Sequence, residues 1–505
     1  MTHNLYALFR DRFPSNRQRP MLTDERGRTI SFGEAEAAVA RMVGALTAAG
    51  LKPGDRVSAQ VDKSPDLLIF YLACLAGGFV FHPINTAYRE MELSYLLADA
   101  EPSLAIFGPE SAESVGTLAR AAGVPKILTL GQGGGGTLLE AAAAARPVEQ
   151  ICLRRADDLA ALIYSSGTTG KPKGAMLTHG NLASNAAALV QAWEFSSSDR
   201  LLHALPLFHV HGLFVGVSCA LFSGASMRFL PRFEAASVLR FLPETTVFMG
   251  VPTYYTRLLA EPGFGSSLCR SVRLFISGSA PLLPDTFRGF QQASGHLLVD
   301  RYGMTETLLN SSNPVRGERV AGSVGLPLPG VSMRIADPED RPLGSGVIGE
   351  IQVKGPNVCR GYWRNPDKTA EAFTADGWFR TGDLARRDDR GYYFIVGRAK
   401  DLIIAGGLNV YPKEVEECID KLEGVAESAV VGIPHPDFGE VVVAAVVPDG
   451  PETGQLNEEM VIRHVKDHLA NFKAPKRVRF LPELPRNAMG KVEKTILRRF
   501  LDDQP

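Results

Sequence analysis

Apolar positions along this chain follow two alternating rhythms. Phe32–Ala48 places apolar side chains at helical spacing, and Arg56–Gln60 follows as a short strand. Pro65–Ala76 is again helical and Phe79–Pro83 again a strand. Alternation of this kind predicts parallel sheets covered by helices, and it continues through roughly the first 390 residues. The longest apolar stretch, Leu67–Phe81, is interrupted by Gly77-Gly78 and is too short to span a membrane, so it reads as a buried helix followed by a strand. Gly131–Gly136 beside Ala141–Ala145 predicts a surface loop running into a helix. Beyond Gly330, charged and Gly/Pro-rich turns become denser, which predicts a β-rich segment to about Val396. The tail carries amphipathic helical patterns at 413–420 and 457–469, separated by apolar strands at Ser428–Gly432 and Val441–Val447. The expected architecture is α/β: a large N-terminal domain of stacked α/β sheets with a β-rich subdomain (1–396), a joint at 397–401, and a small α+β domain (402–505).

Composition narrows the function classes. The chain has 505 residues, 45% of them hydrophobic and 22% charged, as in a soluble globular protein. Lys plus Arg number 54 and Asp plus Glu 55, so no basic surplus points to nucleic acid or to an anionic membrane. The six cysteines are scattered, with no C-x-x-C spacing and no paired histidines nearby. That argues against a zinc site and a disulfide framework, and suits a reducing cytoplasm. Met1–Pro20 lacks the apolar core of a secretory signal.

The chemistry concentrates in five runs. Residues 164–174 read YSSGTTGKPKG, with two serines, two threonines, three glycines and two lysines between apolar flanks. Glycines admit a ligand close to the backbone, hydroxyls and N–H groups donate to anionic oxygens, and lysines add charge, so the run has the composition of a phosphate cradle. It is not a Walker A loop, which requires glycine at 165 and Ser or Thr at 172, where this chain has Ser165 and Pro172. RYGMTET (301–307) follows the apolar strand Leu297–Val299 and sets an aromatic ring, a hydroxyl and a carboxylate at a strand exit, where ligands gather in open α/β sheets. Glu306 there offers oxygen ligation to Mg²⁺. His209 and His211, two apart after Leu201–Leu207, lack a cysteine or carboxylate at ligand spacing. They read as pocket-lining or core histidines rather than metal ligands. Asp383, on a glycine turn, and Arg398 are candidates for a ribose. Lys491, in PRNAMGK, is a charge on a long stem suited to stabilising attack on phosphorus.

Together these runs resemble the acyl-adenylate-forming superfamily of acyl-CoA synthetases, luciferases and peptide-synthetase adenylation domains. The resemblance extends from about Ser31 to Arg498, with YSSGTTGKPKG, LPLFHVHG, ISGSAP (Ile276–Pro281), RYGMTET, TGD, GRAKDLIIAGGLNVYPKEVE (Gly397–Glu416) and PRNAMGK in family order. It implies an enzyme, an acid–thiol ligase using Mg²⁺, ATP and coenzyme A. A carboxylate attacks the α-phosphorus of ATP to give an acyl-AMP and pyrophosphate, and the CoA thiol then displaces AMP. By position, Ser165, Thr168, Thr169 and Lys173 belong to the phosphate loop, and Tyr302 to adenine stacking. Thr305 becomes a phosphate contact, and Glu306, with Thr168, a Mg²⁺ ligand. Asp383 and Arg398 become the ribose pair, Lys491 the lysine of adenylation, and His209 a member of the catalytic pocket. Lys400 falls at the family's hinge, about which the small domain swings, and Gly407 at the pantetheine tunnel. Lys491 is also the position that bacterial relatives acetylate reversibly, which implies a lysine acetyltransferase and deacetylase as partners.

Within the family, Arg257, Ser279 and Arg301 resemble the malonate-activating subgroup, where the equivalent residues hold the carboxylate that does not react. Guanidinium forks suit carboxylates, and each charge-assisted bond is worth ~1.5–3 kcal/mol. Several such enzymes have Thr at the position of Val210 and Met at that of Leu309, beside the substrate α-carbon, which leaves malonate and methylmalonate both open. Another dicarboxylate or short-chain CoA ligase, such as an oxalyl-CoA synthetase, and an enzyme loading a carrier protein share the general motifs. A catalytically silent nucleotide-binding protein would not need both Glu306 and Lys491.

Overall fold

The computed structural model describes residues 2–165, 172–405, 408–435, 439–450, 456–487 and 490–502. The chain packs as two compact units, one of residues 1–333 and 353–379, the other of residues 334–352 and 380–505. Residues 334–352 and 380–396, assigned from the sequence to the large domain, thus pack with the C-terminal part.

The first unit contains a six-stranded and a nine-stranded sheet among the described residues. The six-stranded sheet runs in the order Ile127–Thr129, Leu104–Phe107, Arg56–Gln60, Val80–Pro83, Leu159–Ser165, Lys173–Thr178. Its pairs are parallel except the last, an antiparallel hairpin. The second sheet has a parallel centre of Leu274–Ser277, Val247–Gly250, Arg200–His203 and Ser226–Phe229, flanked by Val299–Met304 and Pro20–Asp24. The helices follow from local chemistry. Ser31 and Glu34 form a reciprocal capping box that starts Phe32–Ala48. Ser64 caps Pro65–Gly77, which has proline in its first turn and is stopped by Gly78 in the left-handed region. Every residue of Pro65–Gly77 except Asp66 is buried, as expected of a run apolar on all faces.

One buried contact ties the strand ends of the two sheets together. Lys63, just beyond Arg56–Gln60, donates to His203 Nδ1 at 2.7 Å and to the His203 carbonyl at 2.8 Å. His203 ends the strand Arg200–His203, and its Nε2 donates to the Gly212 carbonyl at 2.9 Å. Gly212 opens the π-helical turn His211–Val217, a rare geometry frequent at functional sites.

The second unit holds a five-stranded sheet built on the long hairpin Val425–His435 and Gly439–Pro448. Both faces of this hairpin are covered, because its side chains alternate. Val430, Val442, Ala444 and Val446 pack with the helices Pro412–Ile419 and Glu458–His468, while Val431, Ile433, Val441 and Val443 pack with Leu497 and Leu501 of Lys494–Asp502. The unit also holds most of a four-stranded antiparallel segment ending in Phe379–Arg387 and Tyr393–Arg398.

Two local expectations are corrected. Arg301–Met304 continue the strand rather than leaving it, because they pair antiparallel with Leu308–Ser312. Asp383 likewise sits within Phe379–Arg387, directly opposite Arg398 in register, and not on a turn. Pairing with a neighbouring strand overrides the loop-like composition in both cases. The hairpin at 301–312 depends on Gly303, where an added Cβ would fall 2.0 Å from the Leu308 carbonyl oxygen. Gly303→Ala is therefore expected to cost about 1–3 kcal/mol by overpacking, read as a lower denaturant midpoint. An unshifted midpoint would contradict this tight turn.

Candidate active site

In the first unit the phosphate-loop hairpin delivers two of the predicted residues in register, Ser165 opposite Lys173. Thr168 and Thr169 lie outside the described residues. Residues 360–363 run alongside Lys173–Thr178: Met176 N donates to the Gly361 carbonyl at 2.9 Å and Trp363 N to the Gly174 carbonyl at 2.7 Å. This pairing lays the Tyr362 ring against Lys173, whose Nζ is 5.2 Å from the ring centroid. Glu306 is buried, and its Oε1 accepts from Ser165 Oγ at 2.8 Å and from the Tyr362 hydroxyl at 3.2 Å. Burial first, and the Glu306 charge second, push the Tyr362 phenol well up, so it remains a donor. Both bonds fall on Oε1, which leaves Oε2 available to a hard cation; a carboxylate oxygen beside a hydroxyl and a phosphate site fits Mg²⁺. Thr305 is half-buried in the same hairpin turn, and Tyr302 is buried one bulge earlier.

A second cluster lies at the end of the parallel strands. Arg301 is 5% exposed, and its Nη2 donates to Ser279 Oγ at 3.3 Å. Its side chain lies over Gly278, where a Cβ would come within 2.4 Å of Arg301 Nε. Ser279 takes a positive φ of 74°, an uncommon conformation for a residue with a side chain. Its Oγ is also 3.3 Å from His211 Nδ1. With its proton free of Arg301, that hydroxyl can donate to His211 Nδ1, the arrangement in which the imidazole proton sits on Nε2. His211 Nε2 and Arg301 Nε are both buried without a hydrogen-bond partner. Burial, with Asp300 and Tyr255 opposing it, lowers the Arg301 guanidinium to about 10, still cationic at neutral pH. Burial, then Arg301, holds His211 far below the ordinary histidine range and so neutral. A buried cation with an unpartnered N–H suits a ligand that accepts.

The other pocket residues divide by exposure. Val210 and Leu309 are buried, and the Leu309 backbone is pinned by Asn185, whose Nδ2 donates to its carbonyl at 2.8 Å. His209 is half-buried and accepts from His211 N at 3.2 Å through Nδ1. Arg257 differs from the expectation of a second buried fork. It sits on the last turn of Pro252–Leu259, exposed, and is not among the charges acting on Arg301. At that point of an amphipathic helix the buried face is taken by Tyr255 and Leu258, which turns Arg257 outward.

The second unit gathers the remaining predicted residues. Arg398 Nε pairs with Asp383 Oδ1 at 3.0 Å, and Asp383 is buried. Lys491 feels Arg398, Asp383, Lys400 and Asp401, so the ribose pair, the hinge position and the adenylation lysine meet in one place. Burial first, then Arg398, lowers Lys491 to about 8, against the pull of Asp383. Gly407 lies outside the described residues. Sequence reading missed Tyr362, Gly278 and Lys63. The only signal for the first was an aromatic in GYW (361–363), and that for Gly278 was its place in ISGSAP.

The AMP-binding enzyme family model matches residues 9–363 and the AMP-binding enzyme C-terminal domain model matches residues 414–491. The chain belongs to this family of adenylate-forming ligases. Among solved structures, ATP-bound MatB from Rhodopseudomonas palustris superposes with a TM-score of 0.97 at 49% identity, over 100% of this chain and 99% of that one. A malonate–CoA ligase of Arabidopsis thaliana is 35% identical over 90% of this chain and 79% of its own length. A feruloyl-CoA synthase of an Amycolatopsis species is 38% identical over 94% of each chain. Whole-chain identity in this range therefore defines the ligase without defining the acid. Among the described residues no helix is long and apolar enough to cross a membrane.

The geometry around Ser279 predicts an imidazole that does not titrate. In a ring-nitrogen NMR titration His211 is expected to stay neutral, as the Nε2–H tautomer, through the interval where exposed histidines protonate near 6.5. A His211 signal with an ordinary midpoint would rule out this tautomer and the orphan donor.

Proposed function

We propose that this chain joins malonate to coenzyme A through malonyl-AMP, with release of AMP and pyrophosphate. The observation that carries the reading is the buried Arg301–Ser279–His211 cluster with its two unpartnered nitrogens. An apolar acyl group, such as a ferulate ring, would leave a guanidinium buried without compensation, at a cost of several kcal/mol of order. A free carboxylate would compensate the guanidinium. Arg301 and Ser279 hold that carboxylate while the other end of the diacid attacks the α-phosphorus, forming the acyl–phosphate bond as the bond to pyrophosphate breaks. In the second step the thiol sulfur attacks the acyl carbon, and the carbon–oxygen bond to AMP breaks.

In this reading Ser165, Thr168, Thr169 and Lys173 bind the ATP phosphates, Tyr302 the adenine, and Asp383 with Arg398 the ribose. Thr305 and His209 line the reacting end. Glu306, with Thr168, would hold Mg²⁺, which neutralises phosphate charge. Lys491 supplies positive charge to the adenylating step, and Lys400 is the hinge between 1–396 and 402–505. Gly407 lines the path of CoA. Val210 and Leu309 wall the α-carbon, where one methyl of space changes selectivity by only ~1–3 kcal/mol, so methylmalonate is a second substrate to test. Acetylation of Lys491 would remove its charge and stop adenylation. The six cysteines are all free, which fits the reducing cytoplasm.

Two experiments test the reading. Arg301→Met is expected to raise the malonate KM by about a hundredfold or to abolish turnover, with ATP binding spared, since at least one charge-assisted pair worth ~1.5–3 kcal/mol is lost. Arg257→Ala, at an exposed site, is expected to change it less than about tenfold. Unchanged malonate kinetics in Arg301→Met, measured beside oxalate, succinate and acetate, would sink the diacid assignment. The second concerns pH. Lys491 is cationic below about 8 and neutral above, so malonate-dependent pyrophosphate release should lose kcat/KM as pH rises through 8. Lys491→Arg should move that limb upward; a limb that stays in place would assign it to another group.

A further inference from the structure

The helix Glu458–His468 meets Pro412–Ile419 along Val461, His464, Val465 and His468, the i, i+3, i+4, i+7 seam of an amphipathic helix. Val461 and Val465 are buried there with Cys418, but the other two seam positions are histidines. Their rings lie 4.4 Å apart, centroid to centroid. Cys418, His464 and His468 each bring one ligand atom to within 4.8 Å of the others. Each ring also donates one N–H to a backbone carbonyl. His464 Nε2 donates to the Cys418 carbonyl at 3.0 Å, and His468 Nδ1 donates to the His464 carbonyl at 2.8 Å. Those bonds engage one nitrogen of each ring with a carbonyl, as the outer-shell bond of a metal-bound histidine does.

We propose that Cys418, His464 and His468 form a zinc site in the second unit, separate from the adenylation chemistry. One thiolate and two imidazoles are a donor set matched to Zn²⁺, and hard cations such as Mg²⁺ would avoid it. Bonds of ~2.0–2.3 Å place tetrahedral ligands about 3.3–3.6 Å apart. The contraction needed is of the order of 1 Å, within reach of a rotation of the exposed His468 ring. The Cys418 thiol gives its proton to solvent on binding, and exposure at His468 leaves the fourth position to water. Bound metal would staple the helix that follows residues 403–410 to the helix 458–468. The spacing of cysteines argued against zinc because the ligands come from two helices, with Cys418 and His464 46 residues apart.

Cobalt(II) titration of the full-length chain, carrying Cys152→Ser to remove the half-buried thiol, tests the site. One equivalent is expected to give a thiolate-to-cobalt charge-transfer band with the ligand-field bands of a four-coordinate ion, and Zn²⁺ should displace it. Cys418→Ser should abolish the charge-transfer band. His468→Ala, at an exposed position that does not threaten folding, should weaken binding by at least about tenfold. Zn²⁺ should raise Tm in the parent and not in Cys418→Ser. Absence of the band in the parent, its survival in Cys418→Ser, or unchanged affinity in His468→Ala would each overturn the proposal.

Discussion

The buried guanidinium of Arg301 is the constraint from which the proposed acyl pocket follows. A cation 5% exposed, bonded to one hydroxyl and carrying an unpartnered Nε, is an unfinished interaction. Several features of the surrounding chain exist to permit it. Gly278 leaves room beneath it, Ser279 adopts a positive φ to present its Oγ, and neutral His211 avoids a second positive charge beside the first. Any anion that completes the cluster is recognised through charge and acceptor geometry together, and a neutral isostere lacks both.

That cluster holds its shape because the strands beneath it are fixed. Lys63 reaches from the end of one sheet to His203 at the end of the other, and His203 in turn holds the carbonyl of Gly212 in the π-helical turn that carries His211. Burial without a counter-ion lowers the Lys63 ammonium well below its usual range. The second ring nitrogen of His203 must accept, since its Nε2 donates to a carbonyl. So Lys63 is held as a donor whatever its charge. A change at this contact would reach the acyl pocket through backbone position, without touching substrate.

The sequence disclosed the elements far better than the contacts between them. Phe32–Ala48 and Arg56–Gln60 coincide with the observed helix and strand, the helix marked by its buried stripe and the strand by a short run buried on both faces. The polar runs were harder. RYGM and TGD have the composition of turns, yet both lie in strands, since the antiparallel strands that follow them in the chain supply the hydrogen bonds. Lys63 carried no local signal, and Tyr362 only that of an aromatic in GYW. Their roles arise from long-range pairing, Tyr362 with Glu306 and Lys63 with a residue 140 positions away. Family resemblance located Arg257 and Arg301 equally well, but helix phase turned one out to solvent and strand phase buried the other.

Lys491, the proposed adenylation lysine, is presented from a turn whose described residues are held by hydrogen bonds. Asn487 N donates to the Lys491 carbonyl at 3.0 Å, Lys491 N donates to Asn487 Oδ1 at 3.1 Å, and Gly490 turns with a positive φ. Arg486 anchors this turn, donating to the Gly490 carbonyl at 2.6 Å and pairing with Glu427 on the long hairpin. Arg486, Asn487, Gly490 and Lys491 are therefore tied to the sheet of their own unit through Glu427. Chemistry in two steps asks for this arrangement. In the proposed two-step reaction a charge needed only while phosphorus is attacked must be withdrawn before a thiol can approach the acyl carbon, and a lysine anchored within its own unit suits that demand.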